Sequence, residues 1–280
     1  MAGRSYTRIL VFLCVLSSTL GVVGADNQFL QDWARTVAGG SDSRAGGGDL
    51  SGKSVVFDVP GLPSGAKKLE LVAVPGHGSV KPFLMGKYEV TQGQYAALLT
   101  NNPSIFKSGN DYPVDQTTWN DAKAFCRKLN ALLPEEVQGK LTVRLPTDVE
   151  WSIAVGLPEE SGSTPREKDA KIKDVYPWGT QWPPPSGAGN YASSLKVDNF
   201  EHTAPVGSFK PNRYSLCDLG GNVWEWCEDF YDGKSGDRVL RGASHFVSDP
   251  GDMLSSRRSG PHDRVNNRGF RVVVAVVSLP

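Results

Sequence analysis

The stretch LCDLGGNVWEWCEDFY, Leu216 to Tyr231, carries the reading of this chain. Two carboxylates, Asp218 and Glu225, flank a turn that Gly220 and Gly221 permit, and two cysteines, Cys217 and Cys227, flank the carboxylates. Calcium takes six to eight oxygens from carboxylates, amides and backbone carbonyls, so acids around a glycine turn suit it. Taken alone, Asp218 is better read as capping the turn through backbone N–H groups. Cys217 and Cys227 either bridge across the loop or stand as two separate buried thiols, and the reading leans to a disulfide. Trp226 is read as a core residue. The stretch is rich in Trp, Gly, Asn and Asp, the composition of a domain held by turns and side-chain-to-backbone bonds.

Working outward, the 280 residues hold 39% hydrophobic and 21% charged side chains, which fits a folded globule and not a disordered or membrane-embedded chain. Glycine (31) and proline (19) are plentiful, so long loops should be packed on few regular elements. Arg4 and Arg8, the apolar run Ile9 to Leu16 and the small residues Val23-Gly24-Ala25 read as a signal peptide over residues 1–25. The alternative is an uncleaved anchor, but the run is short and broken by serines for a membrane span. Cys14 follows Phe12-Leu13, not the small residues that precede a lipidated cysteine. Removing residues 1–25 takes away two arginines and no acid, leaving 28 basic against 30 acidic side chains. Bulk charge therefore predicts neither nucleic acid nor an anionic membrane as partner. Export leaves Cys126, Cys217 and Cys227, an odd number, in an oxidising setting.

Residues 26–53 read as an appendage. DNQFLQDWARTV places Phe29, Leu30, Trp33 and Val37 on one helical face, and AGGSDSRAGGGDLSGK (Ala38 to Lys53) is a flexible linker. The helix either packs back on its own domain, the preferred reading, or docks on a partner. The main domain spans 54–280. VVFDVP and LELVAVPG read as strands. Thr91, Thr118 or Asn120, and Thr147 are N-caps, Glu150 completing a capping box with Thr147. Ala122, Phe125, Cys126, Leu129 and Leu132 form an apolar stripe that makes Cys126 a buried free thiol. Glu159 to Asp174 is charged and reads as a solvated insertion, and GFRVVVAVVSL as buried strand inside a sheet.

Eight segments in order, FLMGKYEVTQGQYAALL, PVDQTTWNDAKAFCRKLN, RLPTDVEW, YPWG, TAPVGSF, LCDLGGNVWEWCEDFY, RVLRGAS and NNRGFRVV, resemble the sulfatase-modifying, formylglycine-generating-enzyme family. The resemblance covers Leu69 to Val277. It implies an α+β fold, a variant of the C-type-lectin-like fold, with few strands and long ordered loops. It also implies two structural calcium sites. One would use the side chains of Asp218 and Glu225 with the carbonyls of Gly221 and Val223. The other would use Asn190 and Asp198 with the carbonyls of Tyr191 and Phe200.

The family's enzymes use two cysteines, the second between the RGAS-like and GFR motifs, and the pair holds copper. Here that stretch, HFVSDPGDMLSSRRSGPHDRVNN (His245 to Asn267), contains no cysteine, and none occurs after Cys227. Ser255 and Ser256 lie nearby, but a hydroxyl neither binds Cu(I) usefully nor cycles through disulfides. The four histidines show no zinc or iron spacing, and no nucleophile elbow is present. The expectation is a protein without enzymatic activity or copper. What is left is a peptide-binding groove, with Asn222 and Trp224 on its floor and Arg257, Arg258, His262, Arg264 and Arg268 on its wall. The expected role is a periplasmic protein-binding regulator. Its partner would be the periplasmic part of a membrane signalling protein, plausibly a membrane kinase of type VI secretion, with no nucleic acid and no membrane insertion. Two alternatives stand beside it: an enzyme of unrecognised chemistry, and a calcium-dependent lectin-like module.

Overall fold

The computed structural model describes residues 24–38, 53–157, 159–234, 236–260 and 266–277. Residues 1–23 of the predicted signal peptide and most of the linker, together with His262 and Arg264, lie outside the described residues.

The larger sheet is built from β1 (Ser54–Phe57), β2 (Leu69–Val74), β3 (Phe83–Gly86), β4 (Leu141–Arg144) and β8 (Val273–Val276), in the order β1-β2-β3-β8-β4. All four pairings are antiparallel. The C-terminal strand is thus interior, as its unbroken apolar run predicts. Successive side chains of a strand face opposite ways, and here both faces are buried. Leu69, Leu71 and Ala73 of β2 and Val274 of β8 enter one apolar cluster with Leu84. Val72 and Val74 of β2 and Val273 and Ala275 of β8 enter a second, with Phe83 and Met85. The sheet divides two cores, so its sequence lacks the alternation of a half-solvated sheet.

The first core is closed by three helices, α1 (Gly24–Ala38), α2 (Gln92–Leu99) and α3 (Trp119–Asn130). Leu30, Trp33, Ala34 and Val37 of α1 are buried in it, so this helix docks on its own domain. Tyr95 stacks on Phe125 at 5.9 Å, and Phe270 meets Phe125 edge-on at 5.4 Å. The second core is closed by α4 (Asp148–Val155), through Trp151 and Ala154.

Thr91, Thr118 and Thr147 cap α2, α3 and α4, each within a complete capping box formed with Gln94, Asp121 and Glu150 respectively. Each box satisfies orphan N–H groups at a helix start. The α3 stripe is buried at Ala122, Phe125, Cys126 and Leu129, while Leu132 lies past the helix end and is half-buried. Burial pushes the Cys126 thiol up to about 12.

A smaller sheet of β5 (Trp224–Phe230), β6 (Arg238–Arg241) and β7 (Arg268–Gly269), in the order β6-β5-β7, brings the Asp218 loop against the GFR segment. Its β5–β7 pairing is parallel. Glu159 to Asp174 is exposed at many positions, as the sequence predicts, but it carries the short helix α5 (Pro165–Lys168), and Glu160 and Asp169 reach back into ion pairs with arginines. Among the described residues no helix is long and apolar enough to cross a membrane.

Candidate functional site

The Asp218 loop turns through left-handed backbone at Asp218 (φ 57), Gly221 (φ 85) and Asn222 (φ 58). Gly221 is obligatory there on a second count, since a Cβ would lie 2.3 Å from the Asn190 carbonyl oxygen. The loop ends on β5, where Glu225 is fully buried. Arg271 donates to both of its oxygens, at 2.6 and 2.8 Å, and the Trp151 indole adds a third bond at 2.9 Å. The same guanidinium donates to the carbonyls of Gly86, Cys217 and Asp218, at 2.9, 2.9 and 3.1 Å. Arg271 is therefore the hub that ties the loop to the sheet.

A third acid, Glu89, joins them. Its carboxylate accepts from Asn222 Nδ2 at 2.6 Å and from the Val223 N–H at 3.1 Å. Three buried carboxylates, those of Glu89, Asp218 and Glu225, thus surround one buried guanidinium. Burial, then the negative charges of Asp218 and Glu225, push the Glu89 carboxyl well above its usual range. Burial pushes Asp218 up to about 6, against the Gly207 N–H that donates to it at 2.6 Å and the charge of Arg271. This excess of buried negative charge suits a cation. Bonds from Arg271 do not bar Glu225 from a metal, because each carboxylate oxygen offers two lone pairs. Among the described residues no three His, Cys, Asp or Glu side chains converge as a metal cluster. An ion here would draw on the Asp218 and Glu225 side chains and complete its shell with the Gly221 and Val223 carbonyls.

The second predicted set is held next to the first. Asn190 is buried, and its Nδ2 donates to the His202 carbonyl at 2.8 Å and to Asn222 Oδ1 at 3.1 Å. Those two bonds orient the amide, and its Oδ1 is left buried without a partner. An orphaned buried oxygen is costly unless something binds it, and a hard cation does. Asp198 accepts from the Tyr191 N–H at 3.1 Å and the Phe200 N–H at 2.8 Å. It therefore caps the turn, and the same carboxylate stays beside the Asn190–Tyr191 backbone.

The predicted disulfide is absent. Cys217 and Cys227 are buried free thiols in separate settings. Cys227 packs with Trp151 and Val239 in the second core, whereas the Cys217 backbone is bonded to Lys87 and Arg271. Burial pushes Cys217 up to about 11 and Cys227 well above the thiol range.

The predicted groove is also corrected. Asn222 is buried with its carboxamide bonded to Glu89, Asn190 and Ala204, and Trp224 belongs to the first core. Arg258 is fully buried, donating to Asp148 at 2.9–3.3 Å and to Glu160 at 2.6 and 2.7 Å. Arg241 meets the same Asp148. Although burial works against it, these two guanidiniums hold the Asp148 carboxyl below its usual range. Arg257, with its side chain 31% exposed, pairs with Asp169 and Asp252. Arg268 is buried beside the Trp226 ring. Arg257 and Arg258 thus clamp the segment to the body through buried or half-buried acids and do not stand free as a recognition wall.

Among the described residues this segment exposes Phe246, Ser248, Asp249 and Pro250. Phe246 is 49% exposed and Ile105, from a different part of the chain, 53%. Phe106 joins them, 6.4 Å from Phe246, and stacks on His202 at 4.2 Å. Beneath lies His245, whose Nδ1 meets the Asn222 carbonyl at 2.8 Å and whose Nε2 is buried without a partner. Sequence reading missed this ledge, because two hydrophobic residues in separate loops carry no periodic signal. It also missed Glu89 and Arg271, although both stand within the recognised segments KYEVT and GFR.

Comparison with known proteins agrees with this geometry. Residues 63–276 match the model of the sulfatase-modifying factor enzyme 1-like domain. The chain is 35% identical over 173 residues to an inactive Cα-formylglycine-generating enzyme 2 of Bos taurus, covering 58% of this chain and 50% of that protein. It is 30% identical over 190 residues to a formylglycine-generating enzyme of Streptomyces coelicolor, covering 58% and 52%. The chain thus spans about half the length of these curated relatives. Among solved structures, Treponema denticola variable protein 1 superposes with a TM-score of 0.61 at 22% identity, over 79% of this chain and 98% of that one, a likeness of fold. With the matched region covering most of the described residues, the chain belongs to the family of sulfatase-modifying factor enzyme 1-like, formylglycine-generating-enzyme-fold proteins.

Proposed function

We propose that this chain is a non-enzymatic, exported protein-binding member of its family, with calcium holding its two loops. The observation that carries the reading is the segment between Ser244 and Asn267. It holds no cysteine, is clamped by Arg257 and Arg258, and carries the exposed Phe246, whose ring lies 6.4 Å from that of Phe106 beside the exposed Ile105. Exposed apolar residues rimmed by polar ones suit a protein contact. A family member named inactive among its relatives supports such a role. The specific form of the proposal is a periplasmic regulator that contacts the periplasmic part of a membrane signalling protein, with a membrane kinase of type VI secretion as the partner to test.

The test immobilises the chain from Asp26 onward and passes the purified periplasmic domain of that kinase over it, with calcium or with chelator. Binding that Phe246→Asp abolishes while leaving the melting temperature unchanged supports the reading. No binding in either buffer removes the kinase as partner. Copper-dependent oxidation of a cysteine peptide by the same preparation would overturn the non-enzymatic assignment. A lectin-like reading has one observation in its favour, the stack of Tyr176 on Trp178 at 4.8 Å with Trp182, 40% exposed, beside it. An exposed aromatic face such as that of Trp182 suits a sugar ring, and chelator-sensitive binding on a glycan array decides it.

A further inference from the structure

We infer that Asn222 couples the two calcium sites, so that an ion bound at Asn190 and Asp198 strengthens binding at Asp218 and Glu225. This rests on the calcium reading above.

Asn222 lies between Gly221 and Val223, whose carbonyls belong to the first site. It is also joined to Asn190 of the second site twice. The Asn222 N–H donates to the Asn190 carbonyl at 2.8 Å, and the Asn190 amide donates to Asn222 Oδ1 at 3.1 Å. The rest of the Asn222 carboxamide is fully used: Oδ1 also accepts from the Ala204 N–H at 2.9 Å, and Nδ2 donates to Glu89 at 2.6 Å and to the Ala204 carbonyl at 3.3 Å. The other Glu89 oxygen takes the Val223 N–H at 3.1 Å, which fixes the peptide following Asn222.

This chain of amides has a direction. A cation at Asn190 Oδ1 requires the oxygen to face it, which turns the Asn190 NH2 toward Asn222. The Asn222 oxygen must then face Asn190 and its NH2 must face Glu89. Flipping either amide sets an NH2 group against the ion, or an amide oxygen against the Glu89 carboxylate. The His202 carbonyl, the Ala204 N–H and Glu89 already favour this arrangement, and an ion at the second site reinforces it by giving the orphaned Asn190 Oδ1 a partner, which steadies the backbone of the first site through Asn222. Coupling of this kind is reciprocal and typically worth fivefold or more in affinity.

Calorimetric titration of the full mature chain with calcium tests this, with circular dichroism confirming that each variant is folded. The wild type is expected to show a binding curve steeper than two independent sites allow. Asp198→Ala disables the second site while leaving both asparagine side chains in place, and is expected to weaken the first by about fivefold or more. In an Asn222→Ala background the same Asp198→Ala change is expected to leave the first site unaffected. Calcium binding with an unchanged first site in Asp198→Ala, or an equal effect with and without Asn222, overturns the coupling. Should Asn222→Ala fail to fold, the wild-type curve and the single Asp198→Ala variant decide the question. No calcium binding by the wild type is a different result, which overturns the calcium reading and the coupling with it.

Discussion

Replacing Arg258 by Met removes the cation at the centre of the clamp. Its guanidinium is fully buried and makes bonds of 3.3 Å or less to Asp148, Glu160, Ser152 and the Ser256 carbonyl. Methionine fills similar volume, so packing is largely kept and the loss is electrostatic. Asp148 retains Arg241, but Glu160 is left as a buried acid facing no guanidinium of its own. Removing one partner of a buried pair costs about 3–5 kcal/mol, because the other charge stays desolvated. For a domain of this size each kcal/mol moves the midpoint by about 2–4 °C, so the expected fall is roughly 6–20 °C. Thermal and urea unfolding of the chain, followed by tryptophan fluorescence, measure it. A second change, Glu160→Gln, removes the stranded charge and is expected to restore at least ~1 kcal/mol in the Arg258→Met background. A midpoint within 2 °C of wild type for Arg258→Met, or no recovery in the double variant, would refute the clamp. The same reasoning excludes charge reversal at Arg258 as a probe of partner binding, since lost binding would report lost structure.

Trp33→Ala removes the buried ring by which α1 docks, at an expected cost of about 3–5 kcal/mol; an unchanged urea midpoint would show that the helix is not part of the folded domain. Ellman's reagent should find no reactive thiol in the native chain from Asp26 and three after unfolding, with no change on adding reductant, because Cys126, Cys217 and Cys227 are buried and unpaired. His245 gives a pH dependence of defined sign. Burial lowers its pKa, with the charge of His202 acting the same way and the Asn222 carbonyl and Asp198 opposing. The unfolded chain therefore takes up the proton first as pH falls through about 6.5, and the folded state loses stability from there down to the depressed folded pKa. Wild type should lose more stability between pH 7 and 5 than His245→Gln, and equal losses in urea titrations at the two pH values would exclude this histidine as a source.

The elements legible in the sequence are those whose causes are local. A threonine followed three residues later by Gln, Asp or Glu sets the starts of α2, α3 and α4; Thr91 and Thr147 could be identified without any knowledge of what packs nearby, while the structure decides for Thr118 over Asn120. The buried face of α1 repeats with the helical period, and β8 is apolar at every position because both of its faces are covered. Side-chain pairing over long separations has no such signature. Arg258 meets Asp148 across 110 residues, and Glu89 meets Asn222 across 133. An arginine pair on a loop reads the same whether solvent or buried acids await it, and the sign of the error follows from that ambiguity. Of the arginines counted as a recognition surface, Arg258 and Arg257 prove to be counter-charges of α4 and of the Glu159–Asp174 segment. Once they are taken inside, the predicted insertion and the predicted groove wall become one ionic network. Outside that network the described part of the segment exposes Phe246, its large apolar side chain, along with Ser248, Asp249 and Pro250. The proposed contact, made through Phe246, is apolar, and salt should weaken it far less than it would an arginine face.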